Sequence, residues 1–124
     1  MNLGDLERWL ERYGRAWVER DPAAAAALFT GDARYYETPF DPPLTGRAAI
    51  RAYWENVPGS QRDISFTSRA IAVAGATVVA AWRAAFTRVP SGRRVELDGV
   101  FVLAFDEAGA CCELREWWHR RESP

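Results

Sequence analysis

The sequence has no lysine. All 16 of its basic residues are arginine, and 17 acidic residues bring the formal net charge to -1. Adjacent arginines occur only as the pairs Arg93–Arg94 and Arg120–Arg121. Nucleic acids and anionic membranes are bound by concentrated positive charge. We therefore expect neither a nucleic acid nor a membrane as a partner.

Cysteine and histidine are scarce. Cys111 and Cys112 are the only cysteines, and His119 is the only histidine. Neighbouring residues on a strand point to opposite faces, so the two thiols diverge. A disulfide framework and a zinc site are therefore excluded, and no metal is expected. His119 is expected at an exposed, basic chain end beside Arg120 and Arg121.

Long apolar runs are also absent. No run approaches the roughly 20 residues that cross a bilayer, and the N-terminus lacks the charged and apolar regions of a secretory signal. We therefore expect a cytoplasmic protein. A chain of 124 residues can form one core but not two, which predicts a single domain over residues 1–124.

Aromatic residues are abundant by contrast. They make up 13% of the chain and include 6 tryptophans, within a hydrophobic fraction of 48%. A small core rarely needs so much large aromatic surface. Part of it is therefore expected to line a cavity.

The first predicted helix has one apolar stripe and ends near residue 20. Its stripe, at helical spacing, consists of Leu6, Trp9, Leu10, Tyr13 and Trp17.

Two further helices are predicted. The second, residues 22–29, is almost all alanine, begins at an Asp–Pro pair and is closed by Gly31. The third begins after Thr45 and is stopped by Pro58–Gly59. Its apolar face consists of Ile50, Tyr53, Trp54 and Val57.

Strands account for most of the remainder. A short aromatic strand is predicted over residues 33–38, and an antiparallel meander follows over residues 62–73, 77–88, 93–106 and 110–119, separated by turn signals. Alternation in the long third strand of this meander leaves both faces apolar near its middle, so we expect a second subunit against the outer face. Gly99 in that strand is expected to mark a bend or bulge.

The order of these elements predicts an α+β fold, with three N-terminal helices packed on a strongly curved, mainly antiparallel sheet that encloses a pocket. The stretch 32–54 is central to it. Glu37 stands there at the point where strand becomes proline-stiffened loop. It is either the rim of the pocket or a solvated strand end.

The chain resembles the SnoaL-like branch of the nuclear transport factor 2-like superfamily, whose fold is a cone of helices and bent sheet around a deep pocket. The resemblance covers nearly the whole chain. It is carried by Asp32–Ala33, the segment 39–43 (Pro-Phe-Asp-Pro-Pro), Gly46–Arg47, Ile50, Tyr53–Trp54, Phe105–Asp106 with Gly109, and the segment 116–118 (Glu-Trp-Trp). It specifies the fold more closely than the function, because members include isomerases, cyclases, epoxide hydrolases and binding modules.

Ketosteroid isomerase, in the same superfamily, implies roles for single residues. Its acidic base falls on Glu37 and its oxyanion-binding tyrosine on Tyr13. Its second donor falls on Phe101, whose ring cannot donate a hydrogen bond, so that oxyanion hole is incomplete here. From sequence pattern alone, Tyr13 is equally a member of the apolar stripe.

Other residues complete the predicted pocket. Its walls, expected to bind the small hydrophobic molecule, are Trp17, Tyr36, Phe40, Tyr53, Trp54, Trp82, Asp98, Phe101 and Trp118. Glu116 is expected to turn inward and to pair with an arginine such as Arg83 or Arg69, in a structural role.

The resemblance implies a homodimeric pocket protein for a small hydrophobic molecule. As an enzyme it would transfer a proton next to a carbonyl without a cofactor, as an isomerase or cyclase, with Glu37 as base and Tyr13 as polariser. The alternative is a non-catalytic ligand-binding or dimerisation module. A third possibility, an epoxide hydrolase-like site, needs paired Asp and Arg residues, part of which Asp98 and Arg83 would supply.

Overall fold

A computed structural model describes all residues, 1–124. It contains four helices: α1 (Leu3–Val18), α2 (Pro22–Ala26), α3 (Arg47–Trp54) and α4 (Val57–Ser60). Asn2 and Asp5 form a capping box that fixes the start of α1. None of these helices is long and apolar enough to cross a bilayer.

Six strands form one sheet. They are β1 (Phe29–Tyr36), β2 (Leu44–Thr45), β3 (Gln61–Ala74), β4 (Thr77–Arg88), β5 (Arg94–Phe105) and β6 (Cys111–Ser123). The sheet order is β2-β1-β6-β5-β4-β3. The predicted meander β3 to β6 is confirmed, and every pairing is antiparallel except that of β1 with β6, which is parallel.

The predicted fold class is confirmed: an α+β arrangement with helices against one face of a curved, mixed sheet. Buried side chains of α1 and α3 join those of the inner sheet face in one hydrophobic cluster. The inner residues of β4, from Val78 to Phe86 at every second position, are all buried, as alternation predicts.

The predicted C-terminal end of the second helix was wrong. Gly31 does not cap α2 but lies inside β1, which already begins at Phe29 because Phe29 pairs with Cys111 of β6. The third helix begins after Thr45 as predicted: Thr45 lies in β2, and Gly46, with φ of 87°, occupies the N-cap of α3.

The predicted end of the third helix was also wrong. Instead of stopping α3, which ends at Trp54, Pro58–Gly59 lies within the short α4. The proline sits in the first turn of α4, where its missing N–H costs no intrahelical bond.

Gly99 does not mark a bulge, because β4 and β5 stay in register through it. A Cβ on Gly99 would lie 2.5 Å from the Trp117 carbonyl oxygen and 2.8 Å from two carbons of the Trp82 ring. The absence of a side chain therefore lets the Trp82 indole pack directly on the strand.

Candidate functional site

A cavity of about 260 Å³ lies between the inner face of the sheet and the helices. Its wall is mostly aromatic, and neighbouring rings meet edge to face, as Trp17 and Trp54 do with centroids 5.4 Å apart. Trp17 is held in place by donating its indole N–H to Gln61 Oε1 at 2.8 Å. Tyr53, Trp54 and Trp82 form other parts of the wall. Such a wall binds an apolar ring by shape and leaves selectivity to a few polar groups.

Two tyrosine hydroxyls stand together in the cavity wall. Tyr13 comes from α1 and Tyr35 from β1, and their hydroxyl oxygens are 3.1 Å apart, within hydrogen-bond distance. The two residues are 2% and 1% exposed. Burial is the main reason that the pKa of each lies well above its ordinary value, and a charge on Glu116 would raise both further. Both phenols therefore stay neutral and keep a proton to donate.

Two carboxyl groups face this cavity from neighbouring strands. The parallel register of β1 and β6 pairs Tyr36, the last residue of β1, with Arg115; Glu37 directly follows Tyr36, and Glu116 follows Arg115. Neighbouring strands are about 4.8 Å apart, so this register brings the two glutamates side by side. Glu37 is exposed at the strand end, whereas Glu116 is only 7% exposed.

Glu116 is the only buried residue with an ionisable acidic or basic side chain of the Asp, Glu, Lys or Arg kind, and it forms no salt bridge. Burial, and then the negative charge of Glu37, raise the pKa of Glu116 to about 8. At neutral pH the buried carboxyl group is therefore mainly protonated. It can donate a hydrogen bond, whereas an ionised carboxylate could only accept one.

The mouth of the cavity carries basic groups. Arg88 lines it but is occupied by Glu122, whose Oε1 accepts from Arg88 Nε at 3.1 Å. Arg120 lines it as well, on the same face of β6 as Glu116 and Trp118. Tyr53 lies near the acidic residues, and its pKa is raised by burial first and then by the charges of Glu116 and Glu37.

Most of the predicted site residues line this one cavity. They are Tyr13, Trp17, Glu37, Tyr53, Trp54, Trp82 and Trp118. A carboxylate at the rim and a phenol in the wall of one cavity are groups that can serve proton transfer.

Four predicted wall residues lie elsewhere. Tyr36 faces away, with the Arg115 guanidinium 4.0 Å from its ring centroid. Phe40, on the proline-rich loop, is 92% exposed. Phe101 is fully buried behind the wall and stacks on Trp82 at 5.0 Å. Asp98 projects from the outer sheet face.

Asp98 accepts a hydrogen bond from Arg83 at 2.7 Å, and both residues are exposed. The pair that an epoxide hydrolase-like site would need does form, but it lies outside the cavity. It belongs to a groove of about 480 Å³ on the outer face, where His119 is exposed as expected. The acidic groups of this groove are each paired with an arginine, Asp98 with Arg83 and Glu96 with Arg121.

Sequence reasoning missed two polar members of the site. Tyr35 was passed over for Tyr36, although alternation along β1 places positions 33, 35 and 37 on the face that carries Glu37. Glu116 turns inward as predicted, but the predicted arginine partner was wrong, since Arg83 pairs with Asp98 and Glu116 forms no salt bridge. A carboxylate alternating with Leu114 and Trp118 was the available signal.

Two buried indole N–H groups, on Trp54 and Trp82, have no hydrogen-bond acceptor. Trp54 meets the rings of Tyr13 and Trp17 at 88° and 81°, so aromatic edges and faces surround it. Ring faces are weak acceptors, which lessens the cost of leaving such donors unpaired.

The model of the SnoaL-like domain family matches residues 10–114. No curated protein sequence matches the chain.

Solved structures share the fold. SalBIII, an epoxide hydrolase/cyclase-like enzyme with a role in pyran ring formation in polyether salinomycin, is 25% identical with a TM-score of 0.77, over 91% of this chain and 89% of that one. Delta 5-3-ketosteroid isomerase from Mycobacterium sp. is 19% identical with a TM-score of 0.80, over 96% and 98%. A computationally designed 17-OHP binder is 18% identical with a TM-score of 0.80, over 95% and 96%.

Proposed function

The chain belongs to the SnoaL-like domain family, and from this membership we propose that it is an enzyme that moves a proton next to a carbonyl group of a small hydrophobic molecule. The reaction is an isomerisation or an aldol-type cyclisation and uses no cofactor. Glu37 is the base, and Tyr13 polarises the carbonyl oxygen.

One observation carries this proposal: Glu37 and Tyr13 line the same aromatic cavity, from the end of β1 and from the middle of α1. The exposed carboxylate of Glu37 can take a proton from carbon. The hydroxyl of Tyr13, buried and neutral, can donate to the oxygen on which negative charge develops. Tyr35 supports it by sharing a hydrogen bond with Tyr13, so that one of the two protons remains for the substrate.

Exchange of the hydrogens next to the carbonyl of α-tetralone for deuterium, followed by proton NMR in heavy water, tests the base directly. This small bicyclic ketone requires no knowledge of the natural substrate. We expect the wild-type protein to accelerate exchange and Glu37→Gln to lose about 10²- to 10⁴-fold of that acceleration, the usual contribution of a general base.

Glu7→Gln is the matched control, because Glu7 is an exposed carboxylate on α1, away from the cavity. It should exchange α-tetralone at the wild-type rate. If Glu37→Gln also does so, Glu37 is not the base.

The second candidate is a binding module that holds the same kind of molecule without turnover. It is favoured by Phe101, which stands where a second oxyanion donor is expected, and by the similarity to a designed 17-OHP binder. Binding of α-tetralone by the wild-type protein without accelerated exchange would support this candidate over the enzyme.

The proposed partners are thus a small hydrophobic molecule and a second copy of the chain. The outer face of β5 supports the homodimer, since Val100 and Val102 are only half-buried there and Trp117 of β6 is 48% exposed beside them. Apolar surface of this kind is typical of a subunit interface.

A further inference from the structure

We infer that Glu116 is a second hydrogen-bond donor to the substrate oxygen, and that the site therefore takes neutral, apolar molecules that carry a ketone oxygen. This inference rests on the proposed function, because it assigns the ligand class of the same cavity. Nothing in the sequence pattern predicted it, since Glu116 was expected to pair with an arginine.

Glu116 has no cationic partner. Its side chain is buried, yet none of the arginines forms a salt bridge with it, and the Trp118 side chain is the only hydrogen-bonding group inside the protein that acts on its carboxyl group. The only polar side-chain atoms that are fully enclosed and lack a hydrogen-bond partner are the indole nitrogens of Trp54 and Trp82, so the Glu116 oxygens are not among them. The carboxyl group therefore opens into the cavity that it lines. A buried carboxyl group without a charged partner costs stability, which a structural role does not explain.

Glu116 also lies close to the position at which an oxyanion donor is missing. Glu116 lies directly across from Phe101 in the antiparallel pairing of β5 and β6, on the same sheet face. The Phe101 ring in turn lies 5.3 Å from the Tyr13 ring. The carboxyl group is thus one strand away from the position at which an oxyanion donor is lacking, and on the side where Tyr13 supplies the other donor.

The groups around Glu116 favour its protonated form. The titratable groups that face Glu116 are Glu37 at the end of β1, the neutral phenols of Tyr13, Tyr35 and Tyr53, and Arg88 and Arg120 at the mouth. Glu37 disfavours a second negative charge, Arg88 is occupied by Glu122, and Arg120 forms no salt bridge with Glu116. The protonated acid is consequently the resting form, and an anionic ligand would meet Glu37.

Proton transfer at this site needs no co-reactant. Glu37 takes a proton from the carbon next to the carbonyl, the C–H electron pair becomes the new C=C bond, and the carbonyl π pair moves to oxygen. Tyr13 and Glu116 donate hydrogen bonds to that oxygen. In a β,γ-unsaturated ketone the enolate extends over the second double bond, so Glu37 can return the proton to the γ carbon; the C=C bond then lies between the α and β carbons, the carbonyl re-forms, and all side chains end in their starting state.

Binding of α-tetralone at different pH values tests the inference, with tetralin, which has no oxygen, as the comparison ligand. We expect the wild-type Kd for α-tetralone to rise about tenfold between about pH 6 and about pH 10 with a midpoint near pH 8, since loss of one hydrogen bond is worth roughly a factor of ten. The Kd for tetralin should stay constant. Isothermal titration calorimetry measures both.

Three variants sharpen the test. Glu116→Gln keeps a donor that does not titrate, so its α-tetralone affinity should vary less than about twofold over this range. Glu37→Gln should keep the alkaline loss but move its midpoint to lower pH, because the charge of Glu37 contributes to the raised pKa of Glu116. Glu96→Gln, on the outer face, should reproduce the wild-type curve.

A wild-type Kd for α-tetralone that is independent of pH overturns the inference, and so does an alkaline loss that persists in Glu116→Gln. No binding at millimolar α-tetralone would also overturn it. The wild-type curve alone decides if Glu116→Gln does not fold. Failure of the proposed function looks different: deuterium exchange is absent while the pH-dependent affinity remains.

Discussion

Acidic side chains have opposite environments on the two faces of the strands β4, β5 and β6. On the outer face, Asp98 of β5 lies across from Arg83 of β4 and pairs with it at 2.7 Å, and both side chains are exposed. On the inner face, Glu116 of β6 is buried among aromatic rings with no arginine partner. The chain has 16 basic residues, so arginine is not in short supply. Arg88 and Arg120 line the mouth of the cavity, yet neither pairs with Glu116, so burial without a counter-ion keeps this carboxyl group mainly protonated at neutral pH.

The largest expected effect comes from removing an inner ring. Trp82→Ala should lower the free energy of unfolding by about 3–5 kcal/mol, because it leaves a hole between Phe66 and Phe101, which stack on both sides of Trp82. Urea unfolding followed by far-UV circular dichroism measures this. Trp117→Ala, which removes a ring from the outer face, is the matched control and should cost much less; equal losses would contradict the contrast between the two faces.

A middle-sized effect is expected from the buried acid. The pKa of Glu116 is about 8 in the folded protein against an ordinary 4.5, so the folded state holds a proton that the unfolded chain releases. The resulting stabilisation is complete below about pH 4.5 and is lost as pH rises to about 8. Stability should thus fall across this window with a contribution from Glu116 of at most about 1.4 kcal/mol per pH unit.

Urea unfolding at several pH values within that window measures the slope. Glu116→Gln should remove the contribution of this residue, whereas Glu96→Gln on the outer face should leave it. An unchanged slope in Glu116→Gln would mean that the inner carboxyl group is ionised at neutral pH, like those outside.

The smallest effect is expected for the outer ion pair. Asp98→Asn should change stability by no more than about 1 kcal/mol, because both partners are exposed and water screens their attraction. A double-mutant cycle with Arg83→Ala at low and high salt measures the coupling. A coupling of several kcal/mol that is insensitive to salt would show that the outer pair is as shielded from water as the cavity.

Most of the correct predictions came from the alternation of apolar and polar residues along the strands. Period-two patterns identified the four strands of the meander and the inner face of β4, because burial on one face selects apolar side chains at every second position. The same rule, applied to β1, would have selected Tyr35 over Tyr36. The edges of elements were harder, since Phe29 leaves the helical segment only because Cys111, far along the chain, pairs with it.

The sequence could not predict that Glu116 lacks an arginine partner. Alternation shows that a side chain turns inward, but whether an arginine reaches it depends on the three-dimensional course of all the other strands. Likewise, Phe40 stands close to Glu37 in sequence, yet the loop carries it into solvent, where it is 92% exposed.

The parallel pairing of β1 with β6 has a consequence for how the protein acquires its site. It joins residues that are 79 positions apart, such as Arg34 and Glu113, and its register places Glu37 beside Glu116. Contacts so distant along the chain carry the cost of closing a long loop and tend to form late. The meander from β3 to β6 can assemble from local hairpins, but Glu37 and Glu116 meet only when the first strand docks on the last. The site thus forms at the final closure of the chain, and a one-residue slip between β1 and β6 would turn Glu37 away from Glu116 without disturbing the meander.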